Sequence, residues 1–471
     1  MHFPILARAL SFLFLVTLSL PGAAQTETDL RMLRGLAAVT ALDKTDAGTA
    51  ALGANLAVTG AIQNGTSAQP TLLPLPDQRQ QALSDALITG ENAYGLADGL
   101  GSTLGAAYQA ATGYTIVTED GKKKLHAPNI SPAVARYIAY ANGTSRADSN
   151  LAKFFFANAT TNGKAAVSDA AHAILTEIGG TPDMFGRAYK QIAGSEGANK
   201  YGNSRPFQTL PHIVSYDGAD FFGAASSNML YLRGPAQDLV DSSSYPSGHT
   251  TYGYMESMLL ALLVPQRYPQ MMVRAAEYGS NRITIGAHYA MDVLGGRALA
   301  TYDLAQLLAN KPGYVSVPRG GGVTRAGLEI ADFRQALADA RADVTKELEK
   351  RCGKPIAACA ADDKSRFADP ARNDAFHAST QTYDLPVVFA ATAAGPEDVG
   401  KLAPEAGYLL TAAFPYLTLD QANAILTATQ GPGGGFLDNG SAFGVYSRLD
   451  LYRAAQQAIA ADPSKPAARN R

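Results

Sequence analysis

Apolar residues recur at helical spacing along most of this chain, and strand-like alternation is scarce. Ala-rich segments of this kind run from Gln80 to Leu87, Ser131 to Ala141, Ala165 to Ile178, Thr251 to Val264 and Ile330 to Lys350. The predicted fold class is therefore all-α. Residues Thr26 to about Pro76 mix Gly, Thr, Pro and Asn and read as irregular wrapping, after which the helical pattern continues to about Leu308. Lys311-Pro312-Gly313 and Arg319-Gly320-Gly321-Gly322 then break it. Beyond the break, Ile330 to Lys350 has the charge mix of a surface helix. Thr418-Leu419-Asp420-Gln421 spells a capping box that opens a helix through Thr427, and a last helix follows from Leu449.

A chain of 471 residues exceeds one ordinary core, so two packed units are expected, with a single large helical domain carrying an appendage as the alternative. The expected division is a leader over 1–24, a helical unit over 25–312, a Gly-rich linker over 313–326 and an additional C-terminal helical region over 327–471. The leader reads as a cleaved secretory signal: an apolar run from Ala9 to Leu20 is too short to span a bilayer and ends in the small residues Gly22, Ala23 and Ala24. No later stretch has the length and apolarity of a membrane span, so the expected protein is secreted or periplasmic, without an integral membrane segment. A net charge of -2 and no long run of one sign argue against nucleic acid as a partner, and Lys122-Lys123-Lys124 reads as a solvated turn. Cys352 and Cys359 are the only cysteines, and in an exported protein they are expected to pair; free thiols or part of a metal site are the alternatives.

Candidate chemistry gathers in the middle of the chain. Ser247-Gly248-His249 precedes the Thr251 to Val264 helix, where unpaired first-turn amides and the helix dipole favour an anion; Gly248 would let a ligand approach the backbone. A plain cap and turn is the competing interpretation of those three residues. A second helix from about Pro269 to Ile285 should stop at Gly286, leaving His288 at a turn and Asp292 in the next first turn. That spacing brings the Asp292 carboxylate towards one nitrogen of His288 and leaves the other nitrogen free for attack. Arg282 offers a planar fork for two phosphoryl oxygens, and Arg205, followed by Pro206, would supply a second. His212 lies close enough to Arg205-Pro206 in sequence to line a pocket, whereas His126, His172 and His377 read as surface or structural residues.

Taken together and in order, Arg205-Pro206, Pro246-Ser247-Gly248-His249 and Asn281-Arg282-(five residues)-His288-(three residues)-Asp292 resemble the type 2 phosphatidic acid phosphatase superfamily, which includes class A bacterial acid phosphatases, lipid phosphatases and vanadium haloperoxidases. The resemblance covers roughly 199–296. It implies a helical bundle of that type and a metal-independent phosphatase acting on small phosphate monoesters. His288 would be the nucleophile that forms a phosphohistidine, His249 the general acid, and Asp292 the residue orienting His288. Arg205, Arg282, Ser247, Gly248 and Lys200 would bind phosphate, with no metal and no cofactor. The same pocket could instead hold vanadate on His288, as in a haloperoxidase, or bind phosphate without turnover. Two positions depart from the family pattern: Asn281 replaces Ser, and Ala198 stands where a Lys is usual, seven residues before Arg205. Lys200, five residues before, misses that helical face by roughly 140° and serves only if Gly197 or Gly202 distorts the helix.

Overall fold

The computed structural model describes residues 25–67, 69–87, 92–119, 122–317, 319–321 and 324–464. The leader expected over 1–24 lies outside the described residues. Among those described, helices dominate, and strands occur only in three short two-stranded hairpins. The all-α expectation is borne out.

Three consecutive helices, Gly248–Leu263, Tyr268–Thr284 and Ala290–Leu308, form the centre, and every residue in the first and last is buried. A helix can be covered on all sides only if others wrap it. Pro132–Asn158, Leu75–Ser84, Asp46–Asn64, Phe333–Cys352 and Leu451–Ala460 do so. Close approach at the centre depends on Gly295 and Gly296: a β-carbon there would lie 2.6 Å from the Tyr245 ring and 2.6 Å from the Ser247 carbonyl oxygen. Valine at 296 would force the Ala290–Leu308 helix away from the loop before residue 248, at a cost on the order of 1–3 kcal/mol.

The sequence misleads in three places. Residues 26–76 are largely helical, not irregular. Glu27–Leu36 is opened by a Thr26/Asp29 capping box, and Asp46–Asn64 is capped by Thr45 and closed at Gly65. Glycine content lowers helix propensity by about 1 kcal/mol per residue, but packing of Met32, Leu33, Leu36 and Leu52 into the core outweighs it. Lys122–Lys124 lie in the hairpin strand Lys122–His126, paired with Thr115–Glu119, and not in a turn. Finally, the break at 313–326 does not separate two cores. Phe333 on the following helix stacks on Tyr137, with ring centroids 4.9 Å apart. Tyr268 donates to the Leu409 carbonyl at 3.1 Å, and the Arg297 guanidinium donates to the carbonyls of Thr380, Gln381 and Ser447. Residues from both sides of the break share one hydrophobic cluster. The expected capping box at Thr418 and Gln421 opens Leu419–Ala428, and Cys352 and Cys359 form a disulfide.

Candidate active site

Each motif is held by the local device its sequence implies. Ser247 caps Gly248–Leu263, its hydroxyl accepting from the Thr250 amide at 3.1 Å and from the Thr250 hydroxyl at 2.9 Å. The amides of Gly248 and His249, in the first turn, have no acceptor within the helix. Tyr268–Thr284 ends where Gly286 takes φ +88°, and the amides of Ala287 and His288 fold back onto the Arg282 carbonyl at 3.1 and 3.2 Å. Asp292 then sits in the first turn of Ala290–Leu308, where it accepts from the Tyr289 amide at 2.8 Å.

These turns bring the two histidines together, ring centroids 6.3 Å apart. His288 Nδ1 is 3.1 Å from Asp292 Oδ2, which also accepts from the Ser244 hydroxyl. With Nδ1–H donating to that carboxylate, Nε2 carries the lone pair, and it faces Arg205 Nη1 at 3.0 Å. Arg205 is fully buried and clamped by the carbonyls of Ser242, Ser243 and Ala287 and the Ser242 hydroxyl. Arg282 is also fully buried. Its Nη1 reaches the Tyr231 hydroxyl at 3.4 Å, its plane lies 5.0 Å from the Tyr278 centroid, and its Nε has no partner. His249 Nε2 meets the Tyr231 hydroxyl at 2.6 Å.

Lys200 is not part of this assembly. Residues 190–205 are turns and loop, so the helical-phase argument for it has no helix to act on. Its exposed ammonium pairs with Asp241 at 2.7 Å and lies 5.0 Å from the Tyr201 centroid. His212 is exposed, and His377 is buried in a structural contact with Asp450 at 3.3 Å. The lysine at the site is instead Lys153, near the end of Pro132–Asn158. A β-carbon built on Gly248 would stand 3.2 Å from Lys153 Cε and 3.6 Å from Nζ, so the side chain lies directly over the Ser247-Gly248 turn. A signal was present in the sequence: Lys153 is the one charged residue in the apolar run Leu151-Ala152-Lys153-Phe154-Phe155-Phe156, where a cation needs a reason to be. Tyr231 carried no comparable signal.

Comparison with known proteins bears on the same stretch. Residues 196–308 match the family described as the PAP2 superfamily. A non-specific acid phosphatase of Salmonella typhi is 38% identical over 139 residues, which is 26% of this chain and 54% of that protein. An acid phosphatase of Zymomonas mobilis is 33% identical over 114 residues, 24% of this chain and 34% of that protein, and a non-specific acid phosphatase of Providencia stuartii is 30% identical over 120 residues, 25% and 42%. The chain thus spans about half or less of the length of these curated relatives. Lys153 lies outside the PAP2 segment, so that segment does not by itself hold every cation of the pocket.

Three cations and one carboxylate share this buried space, and the charges shift one another. Burial lowers His288 well below its usual range, and Arg205, Lys153, His249 and Arg282 push in the same direction, so the ring is neutral at neutral pH. His249 is likewise held low by burial and then by Arg282, Lys153 and Arg205. Burial and the Arg205 charge pull Lys153 down to about 7 against the attraction of Asp292, although part of its side chain reaches solvent. Burial lowers Arg205 to about 10. Burial also raises Asp292 to about 7, opposed by the donors from Ser244 and Tyr289 and by Arg205 and Lys153. Every cation here would be relieved by an incoming anion.

Two cavities lie nearby. One of about 320 Å³ is bordered by Tyr231, whose hydroxyl touches His249. Another, of about 250 Å³, is lined by Asp85 and Asp98, away from both histidines.

Proposed function

We propose that this protein is an exported phosphatase that hydrolyses phosphate monoesters through a phosphohistidine at His288. The observation that carries this reading is the orientation of His288: Nδ1 on Asp292, and the Nε2 lone pair turned to Arg205, in a pocket whose cations outnumber its carboxylates. His288 Nε2 attacks phosphorus, the P–O bond to the alcohol breaks, and His249 donates a proton to the departing oxygen. Water then attacks the N–P bond as His249 takes a proton back, releasing phosphate and restoring His288. Arg205, Arg282, Lys153, the Ser247 hydroxyl and the Gly248 amide hold the phosphoryl oxygens, and charge stabilisation by these groups supports turnover without a metal ion. Burial and then three cations hold His249 low; a bound dianion offsets the cations and so raises the proton affinity of His249 when substrate arrives. The rate should therefore fall on the acid side as His288 protonates and on the alkaline side as His249 loses its proton. Export is supported by the leader and by the Cys352–Cys359 disulfide.

The acid phosphatases among the relatives support the reaction class. Vanadate, a tetrahedral oxyanion like phosphate, fits the same donors, including the unpartnered Arg282 Nε. Hydrolysis of p-nitrophenyl phosphate in EDTA tests the proposal. Turnover is expected, reduced about 10⁴-fold or more in His288→Ala. Activity within tenfold of wild type in that variant would remove His288 as nucleophile. Bromide oxidation by the vanadate-loaded protein, in place of ester hydrolysis, would overturn the phosphatase reading.

A further inference from the structure

The cavity of about 320 Å³ has a chemistry distinct from the cationic pocket beside it. Leu83, Ala86, Leu87, Phe221 and Phe222 form its apolar wall, and Asp220 is the only ionisable side chain besides Tyr231 among its described lining residues. The Asp220 carboxylate is occupied by the amides of Phe222 and Ala224, both at 2.9 Å, which fix the tip of the hairpin Asp217–Ala219/Ala225–Ser227. Phe221 is held in that tip by edge contacts to Tyr94 at 5.6 Å and Tyr114 at 5.5 Å. Phe222 is exposed, at 46% of its surface, although it borders the cavity. Among its described lining residues there is no lysine or arginine, and Ser226 and Gln237 are the remaining polar side chains, so a second phosphate or carboxylate on the substrate would find no cation among them.

Tyr231 joins this cavity to the reaction centre. It lines the wall, and its hydroxyl lies 2.6 Å from His249 Nε2, the atom that must meet the leaving oxygen. An alcohol seated against Phe221 and Phe222 reaches His249 when the Tyr231 ring turns aside from Nε2. The cavity volume is within the usual range for small-ligand sites, ample for an aromatic ring with a short linker.

We infer that the cavity bounded by Tyr231, Leu83, Phe221 and Phe222 is the leaving-group subsite, and that it selects uncharged apolar or aromatic alcohols over polyhydroxylic or multiply charged ones. This rests on the phosphatase reading above.

Leaving-group acidity must be held constant in the test, so 2-phenylethyl phosphate is compared with 2-hydroxyethyl phosphate, both esters of primary alcohols. Wild-type kcat/KM should favour the phenylethyl ester about 10- to 100-fold, since a few apolar groups in a fitted pocket give discrimination of that order. Phe221→Ser and the exposed Phe222→Ser should each reduce that ratio several-fold, and the second substitution leaves the buried core untouched. Equal kcat/KM for the two esters in wild type, or a ratio that neither substitution changes, overturns the inference. Calorimetric binding of 2-phenylethylphosphonate and methylphosphonate, which are not hydrolysed, separates the two levels of the argument. Preference for the phenylethyl compound without hydrolysis of either ester would support the subsite and remove the phosphatase reading. Equal binding of the two phosphonates would remove the subsite whatever the turnover.

Discussion

Arg274 and Arg282 are both fully buried on one helix, Tyr268–Thr284, about 12 Å apart along its axis, yet they sit in opposite electrostatic settings. Arg274 is enclosed by carboxylates: Asp85 at 2.6 Å, Asp98 at 2.8 Å and Glu277 at 3.4 Å, with Arg366 joining Asp98 and Glu277 at 2.6 Å each. Two guanidiniums thus meet three carboxylates. Burial lowers the Arg274 pKa, but the three acids outweigh it and raise it well above the ordinary value. Around the two histidines the ratio is reversed: Arg205, Arg282 and Lys153 all act on them, and Asp292 is the carboxylate paired with His288. Arg205 shows the result: burial lowers it to about 10, and one nearby carboxylate does not restore it. A buried arginine that completes its own neutralisation is structural. One left in cationic excess is poised for a ligand, because removing charge from water without a partner is costly until an anion arrives.

The largest break in this symmetry should come from deleting each arginine. Arg274→Met leaves Asp85, Asp98 and Glu277 without their central cation, and a loss of about 3–5 kcal/mol is expected in urea unfolding. Arg282→Met relieves repulsion in its pocket, so it should cost far less stability while lowering kcat/KM about 10²- to 10³-fold. Equal stability losses in the two variants would mean that the cationic excess at the histidines is not real.

Lys153 sharpens the same contrast on a smaller scale. Lys153→Ala should lower kcat/KM on the order of 10- to 100-fold, whereas Lys200→Ala, with its ammonium on Asp241, should stay within about twofold. The pH dependence has a definite sign. In the free pocket Lys153 is charged below about 7 and neutral above it, so anion binding requires proton uptake once the pH passes that value. Inhibition by sulfate, whose charge is constant across this range, should weaken as pH rises above about 7 in wild type. In Lys153→Ala that component of the slope should disappear, and an unchanged slope would assign it to another group.

The smallest effect expected is at the far end of the molecule. Opening the Cys352–Cys359 disulfide removes a short loop closure and should cost on the order of 2 kcal/mol of stability, read as a lower Tm with kcat unchanged. A fall in kcat on mild reduction would connect the C-terminal helices to the reaction centre more directly than their packing does.

Most of the pocket was legible because its residues are held by local devices. A serine cap before 248, a glycine stop at 286 and an i to i+4 histidine–aspartate pair each leave a pattern a few residues long, and the structure places Ser247, His249, Arg282, His288 and Asp292 accordingly. Arg205 is fixed differently, by carbonyls from Ser242, Ser243 and Ala287, and only its order relative to the other motifs pointed to it. Lys153 and Tyr231 arrive through tertiary packing alone, which spacing does not encode. The helices of 27–64 were hidden for a related reason: their glycines read as breaks, while the core contacts that stabilise them come from distant parts of the chain. The division at 313–326 marked a real change of local pattern but could not reveal that both sides contribute to one core.

The position of Lys153 above Gly248 has a consequence for inheritance. A gene segment encoding 196–308, moved into another chain, would take along both histidines, both guanidiniums and Asp292, but would leave the ammonium behind on the helix Pro132–Asn158. In this chain that segment is therefore not an independent cassette. Drift at 153 and at 248 is tied as well: any side chain larger than hydrogen at 248 presses on the lysine.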